Sequence, residues 1–129
     1  MILVDTSVWI ASFARKPAIR IEDVVDFDDI VTCLPIVQEV LQGFREERAH
    51  RLARESMLSL PIVESPLPLA LVEDAVGLYR AARRGGVTVR SSVDCLIAAC
   101  ALRHDLEVIH RDRYYLALAS VSPLRQRAV

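Results

Sequence analysis

Ile2-Leu3-Val4-Asp5-Thr6-Ser7-Val8-Trp9 stands at the start of the chain, and its reading decides the fold. Three apolar residues, two of them β-branched, have the pattern of a short buried strand. Asp5-Thr6-Ser7 then supplies side-chain oxygens of the kind that accept from the free N–H groups of a first helical turn, so a helix is expected over Val8 to Phe13. A strand that passes directly into a helix is half of a βαβ unit. Working outward, the alternation recurs. Asp28-Asp29 leads into a second strand at Ile30-Val31-Thr32, and Pro35 marks the first turn of a helix expected to continue through Glu47. A further helix is expected from about Ala49 to Leu58, a brief third strand within Leu60 to Pro68, and a long helix from about Ala70 to Arg84, stopped by Gly85-Gly86. Ser91-Ser92 caps a helix from Val93 to His104, Glu107-Val108-Ile109-His110 reads as a fourth strand, Tyr114 to Ala119 as a short helix, and the tail holds a last strand. Strands alternating with helices predict an α/β fold: a three-layer α/β/α sandwich around a parallel sheet of four to five strands. A chain of 129 residues buries enough surface to make this one domain, residues 1–129.

Composition narrows the class. The hydrophobic share is 53% and the mean hydropathy +0.30, which implies a large interior or an apolar surface covered by a partner. No stretch approaches the ~18 uninterrupted apolar residues of a membrane span, and Asp5 stands where a signal peptide would carry basic residues, so a cytoplasmic protein without membrane contact is expected. Cys33, Cys95 and Cys100 lack metal-ligand spacing and are expected as reduced core residues. The net charge of -1 does not advertise a polyanionic partner, yet Lys16 is the single lysine, so nearly every positive charge is a guanidinium, the fork that suits phosphate. For the helical stretch from Arg45 to Arg54 a solvated face is expected, since Glu47–Arg51 and Arg51–Glu55 are spaced to pair with each other.

Four acids need explaining. Open parallel sheets collect their ligand sites at the carboxyl ends of the strands, and Asp5 and Asp112 follow strands by one or two residues. Singly, each reads equally well as a helix cap or turn residue. Asp94 is the one charge in Val93-Asp94-Cys95-Leu96-Ile97-Ala98-Ala99-Cys100-Ala101-Leu102, a run apolar around its whole circumference and therefore buried. A buried carboxylate must meet a partner, a metal or a helix terminus, and position in the first turn leaves the terminus open as an answer. Glu39 lies beside the apolar stripe Ile36, Val37, Val40, Leu41 and Phe44, one turn before Gly43, whose place inside a helix implies close packing or ligand space near Glu39; a solvated surface glutamate is the alternative. Taken together, the acids repel unless a cation holds them ionised, and an all-oxygen set suits Mg²⁺ or Mn²⁺ rather than zinc. His50, His104 and His110 are scattered, and His110 reads as a strand-end residue.

Asp5-Thr6-Ser7-Val8-Trp9, Glu39-Val40-Leu41-Gln42-Gly43, Ser92-Val93-Asp94-Cys95-Leu96-Ile97-Ala98-Ala99 and His110-Arg111-Asp112-Arg113 resemble, in order and spacing, the motifs of PIN-domain ribonucleases, and most closely those of the VapC toxins of type II toxin–antitoxin systems. The resemblance runs to about Ala119, with the Asp94 block its most specific part. It implies a PIN-like sandwich, Mg²⁺- or Mn²⁺-dependent endoribonuclease activity with one or two ions, a homodimer, and a cognate antitoxin over the active-site groove. Asp5 and Asp94 match the positions credited with direct metal binding, Glu39 and Asp112 the other two acids, and Ser7 a polar position that helps order the metal or its water. One departure stands out. Many members carry another acid two residues after the position of Asp112, often followed by Phe, where this chain has Tyr114 and Tyr115.

An acidic groove repels RNA, so flanking arginines must draw the backbone in; Arg90, Arg111 and Arg113 are best placed in sequence. A selective cutter is expected to act on a single-stranded loop, since an A-form duplex hides its base edges. Two other readings fit the residues less well: a non-catalytic module of the same fold, and a phosphatase or phospho-receiver domain with Asp5 as nucleophile, whose usual lysine helper would have to be Lys16.

Overall fold

The computed structural model describes residues 1–129. Five strands, β1 (Ile2–Val4), β2 (Ile30–Cys33), β3 (Ile62–Val63), β4 (Glu107–His110) and β5 (Gln126–Ala128), form one sheet in the order β3-β2-β1-β4-β5. Every pairing is parallel, with Ile2 facing Ile30 on one side and Glu107 on the other. Six helices accompany them: α1 (Thr6–Phe13), α2 (Leu34–Gln42), α3 (Glu47–Leu58), α4 (Leu69–Arg84), α5 (Ser92–Arg103) and α6 (Tyr114–Ser120).

From β1 the chain moves outward through β2 to β3, then returns to the other side of β1 for β4 and β5. Because crossovers between parallel strands are right-handed, this reversal puts helices on opposite faces. In keeping with it, α1 packs on α2 and α2 on α3, while α4, α5 and α6 pack on one another. The carboxyl ends of β1 and β4 therefore diverge into different layers, and the crevice between them is where a sheet of this kind binds its ligand.

The central strands are buried on both faces, as expected of a sheet covered by helices. Leu3, Val4, Cys33, Val108 and Ile109 are closed to solvent, and α5 contributes Ile97, Ala98, Cys100 and Ala101 to the same core. Small residues on α5 let it lie close against its neighbours, so the helix that carries Asp94 is held on all sides. All three cysteines are free and buried. No helix is long and apolar enough to cross a membrane.

Two local expectations are corrected. The helix that begins beside Pro35 ends at Gln42 rather than continuing to Glu47, with Gly43 as its C-cap at φ −78°. Gly43 thus sits at a helix end, and a Cβ there would meet Ile10 Cδ1 and the Val40 carbonyl oxygen at 3.3 Å. The contact bears out close packing as its role, here of α1 against α2. Further on, neither Glu47–Arg51 nor Arg51–Glu55 forms an ion pair on α3; the pairs that do form include Arg103 with Glu64 and Asp74, and Arg20 with Glu22.

Candidate active site

Asp5 leaves β1 as the N-cap of α1, which the extended backbone at this position allows (ψ 155°). Its Oδ2 accepts from the Ser7 amide at 3.0 Å and from the Ser7 hydroxyl. The same hydroxyl oxygen accepts from the Arg111 amide at 3.0 Å, joining the end of β1 to the loop after β4. On the other side, Tyr115 Oη donates to Asp5 Oδ1 at 2.6 Å. Both carboxylate oxygens are engaged, and Asp5 is only 3% exposed. Each oxygen of the buried side chain therefore has a hydrogen-bond donor.

Asp94 enters the crevice from the first turn of α5. Ser91 caps that helix by accepting from the Asp94 amide at 3.3 Å. The Asp94 side chain is 5% exposed, and Oδ2 is buried without a hydrogen-bond donor from the protein. Burial first, then the neighbouring carboxyl group of Asp112 and the charges of Asp5 and Glu39, push its carboxyl up to about 8. The helix terminus was one sequence-based explanation for a buried Asp94. It does not satisfy Oδ2.

Asp112 follows β4 in the short connection to α6. Its amide donates to His110 Nδ1 at 3.1 Å, and its Oδ1 accepts from the Tyr114 amide at 3.0 Å, so it both turns the chain and starts α6. His110 is fully buried and its Nε2 lies 2.6 Å from Gln126 Oε1 on β5, which makes it a structural link between the post-β4 turn and the edge strand, as its strand-end position implied. Glu39 reaches the crevice from α2, where its Oε1 accepts from the Thr6 hydroxyl at 2.7 Å. Its charge acts on Asp94.

The structure therefore gathers all four acids at one end of the sheet, with unequal closeness. After burial Asp112 has the largest influence on Asp94, and Asp5 and Glu39 stand near enough to act on it through their charge. As the side chains lie, no three of the acids converge tightly enough to form a finished cation site. A divalent cation nevertheless suits this set: the donors are all oxygen, and the buried Asp94 Oδ2 needs a positive partner that no side chain provides. Arg90, Arg111 and Arg113 are exposed around the rim.

Two residues that sequence reasoning passed over hold the acids in place. Tyr115 was visible only as a departure in a motif, although its position three residues from buried Leu118 on α6 marked it as inward-facing. Thr6 read as helix-start chemistry, and its hydroxyl is instead spent on Glu39.

A parallel sheet with acids at the carboxyl ends of β1 and β4 is the architecture of the PIN domain, whose family model matches residues 2–120, and the chain belongs to that family. Within it, the chain is similar to the VapC ribonuclease Mb1587 of Mycobacterium bovis and to ribonuclease VapC11 of Mycobacterium tuberculosis. Identity to each is 36% over 136 aligned positions, covering 97% of this chain and 96% of the relative. Among solved structures, FitAB bound to an IR36 DNA fragment superimposes with a TM-score of 0.78 at 19% identity, over 99% of this chain and 94% of that one. VapBC2 from Rickettsia felis, bound to a DNA fragment from its promoter, gives 0.78 at 14% identity over 100% and 99%. At such identities the likeness to these structures is one of fold.

Proposed function

We propose that this chain is a divalent-metal-dependent endoribonuclease that acts as the toxin of a toxin–antitoxin pair. The observation that carries the reading is the buried, donorless Asp94 Oδ2 beside Asp112, Asp5 and Glu39 in the crevice where the sheet's connections diverge. Relatives named as ribonucleases, aligned over nearly the full chain, support the activity.

Asp5 and Asp94 would hold Mg²⁺ or Mn²⁺ directly, and Glu39 and Asp112 would bind it through water or take a second ion. When bound, the cation supplies an acidified water and offsets the negative charge that grows on the phosphate. The protein's own groups do the rest. Ser7 and Tyr115 fix the two oxygens of Asp5, so the carboxylate meets its ligand without reorganising. Thr6 orients Glu39. Asp112, half-exposed, would take a proton from water as it adds to phosphorus and an ester P–O bond breaks, and return that proton to the departing ester oxygen. Arg90, Arg111 and Arg113 neutralise the RNA backbone at the rim, and a single-stranded loop is the substrate that can thread a crevice of this kind.

Partners follow from surface chemistry and from the relatives. Leu69, Val72 and Val76 lie along one stripe of α4 and are 72%, 42% and 52% exposed, an apolar face that a second copy of the chain would cover. The fold neighbours include VapBC-5 from Mycobacterium tuberculosis, a member of the VapBC family of toxin–antitoxin systems, which supports an antitoxin as partner; it would lie over the acidic crevice with a basic side chain entering it. An aspartyl-phosphate reading fits poorly, since the chain's single lysine, Lys16, is exposed beyond the end of α1 that lies away from Asp5.

The deciding experiment is RNA cleavage by the purified chain in Mn²⁺ or Mg²⁺. Excess chelator and Asp94→Asn, in a protein that folds normally, are each expected to abolish it. Cleavage that persists in either condition defeats the reading, and failure of Mn²⁺ to bind saturably in calorimetry favours a non-catalytic module.

A further inference from the structure

Between the end of α4 and the start of α6 lies a cavity of about 480 Å³, lined by Gly86, Val87, Thr88, Arg90, Arg113 and Tyr114 among others. That volume is within the ~300–1,000 Å³ of pockets that take small ligands. Arg90 and Arg113 come from segments far apart in sequence, yet both face this one cavity. Neither is in an ion pair; the arginines that are paired are Arg20, Arg103, Arg125 and Arg127. Asp112, next to Arg113 in the chain, directs Oδ1 at the Tyr114 amide instead. The Arg113 guanidinium lies 5.3 Å from the centre of the Tyr114 ring, so cation and aromatic surface are presented together.

Two unpaired guanidinium groups and a half-buried aromatic ring beside an acidic crevice have the chemistry of a nucleotide: phosphate for the forks, base for the ring. We propose that this cavity is a single-nucleotide subsite, seating the nucleotide next to the cleaved bond with its phosphate on Arg90 and Arg113 and its base against Tyr114. The proposal rests on the ribonuclease reading and adds what that reading lacks, a place where a base is held. It also gives Tyr114 a role. The apolar wall of Val87 and the Thr88 hydroxyl border the base position.

The test uses a short, labelled, mixed-sequence single-stranded RNA, with binding measured in chelator across a range of salt concentrations and cleavage measured separately in Mn²⁺. Arg90→Gln and Arg113→Gln are each expected to lower the slope of log affinity against log salt by about 0.7. Tyr114→Ala is expected to weaken binding roughly tenfold with the slope unchanged, and Tyr114→Phe to retain it, because stacking needs the ring and not the hydroxyl. All three side chains replaced are at least partly exposed, and thermal melts verify that each variant folds. Unchanged slopes in the arginine variants, unchanged affinity in Tyr114→Ala, or no RNA binding by the parent chain overturns the subsite. If the parent chain still cleaves RNA in Mn²⁺ under those outcomes, the subsite alone fails; if it does not, the ribonuclease reading fails with it.

Discussion

The phenol of Tyr115 donates a 2.6 Å hydrogen bond to Oδ1 of Asp5, two residues 110 positions apart in the chain. Tyr115 is completely buried, and burial together with the charges of Asp5 and Asp94 raises its phenol well above the ordinary tyrosine range. It is therefore a neutral donor at every working pH. Its ring also packs on that of His110, with centroids 4.8 Å apart, which ties the bond to the turn that carries Asp112.

Tyr115→Phe removes one oxygen and leaves the ring in place. Asp5 Oδ1 then loses its donor while still buried, a defect worth about 1–3 kcal/mol. The variant is expected to fold, to melt several degrees lower in chelator, and to bind Mn²⁺ about tenfold more weakly, as happens when the group that orients a metal ligand is lost. Calorimetric titration with Mn²⁺ checks this. Unchanged affinity would mean that Ser7 alone fixes Asp5.

Asp94 predicts an unusual pH dependence. Its carboxyl is pushed up to about 8 in the folded chain, against the ordinary aspartate value of 3.8 when the chain is unfolded. A folded-state value raised in this way means that the native protein holds a proton the unfolded chain has released, so the stabilising contribution is complete below pH ~4 and is lost as pH rises to about 8. Thermal melts of the chain in chelator are expected to fall over that window, and Asp94→Asn, which carries no titrating proton, should remove this part of the slope. Saturating Mn²⁺ should also flatten it, because a cation holds the carboxylate ionised. A slope identical in parent chain and variant would assign the titration to another group.

Much of this site was legible because acids in apolar surroundings are conspicuous. Asp94 announced itself as the one charge in a run that had to be buried, and Asp5 and Asp112 as acids at strand ends, which the sheet topology converts into neighbours. What the sequence concealed were the groups that hold those acids. Tyr115 and Thr6 are ordinary helix residues until the fold carries them to Asp5 and Glu39. Their roles depend on hydrogen bonds whose partners lie in other elements, and no local pattern encodes such a bond. Helix boundaries failed for the opposite reason: Gly43 looked interior because the apolar stripe ran on to Phe44, yet the stripe outlasts the helix, with Phe44 meeting Phe13 edge-on from the following loop.

The corrected place of Gly43 can be tested directly. Its φ of −78° suits any residue, so alanine there would reduce the freedom of the unfolded chain at no backbone strain, a gain of about 0.4–1 kcal/mol. Against this stands the 3.3 Å approach to Ile10 Cδ1, the end of a flexible side chain that is 42% exposed and can turn aside. Gly43→Ala is expected to change stability by less than about 1 kcal/mol and to leave Mn²⁺ affinity unaltered. Loss of metal binding would restore the expectation that Gly43 makes room beside Glu39.

Arg111 separates a backbone role from a side-chain one. Its amide donates to Ser7 Oγ and so helps hold Asp5, whereas its guanidinium is exposed and forms no ion pair with a carboxylate. Arg111→Ala keeps the amide. Stability and Mn²⁺ affinity should therefore match the parent chain, while the slope of log RNA affinity against log salt should fall by about 0.7, the share of one phosphate contact on a single strand. Arg111→Pro, which removes the amide hydrogen as well, should in addition weaken Mn²⁺ binding, because Ser7 loses one of the two bonds that hold its hydroxyl. If the alanine variant keeps the full salt slope, the guanidinium of Arg111 does not touch RNA and the backbone bond is its whole contribution to the site.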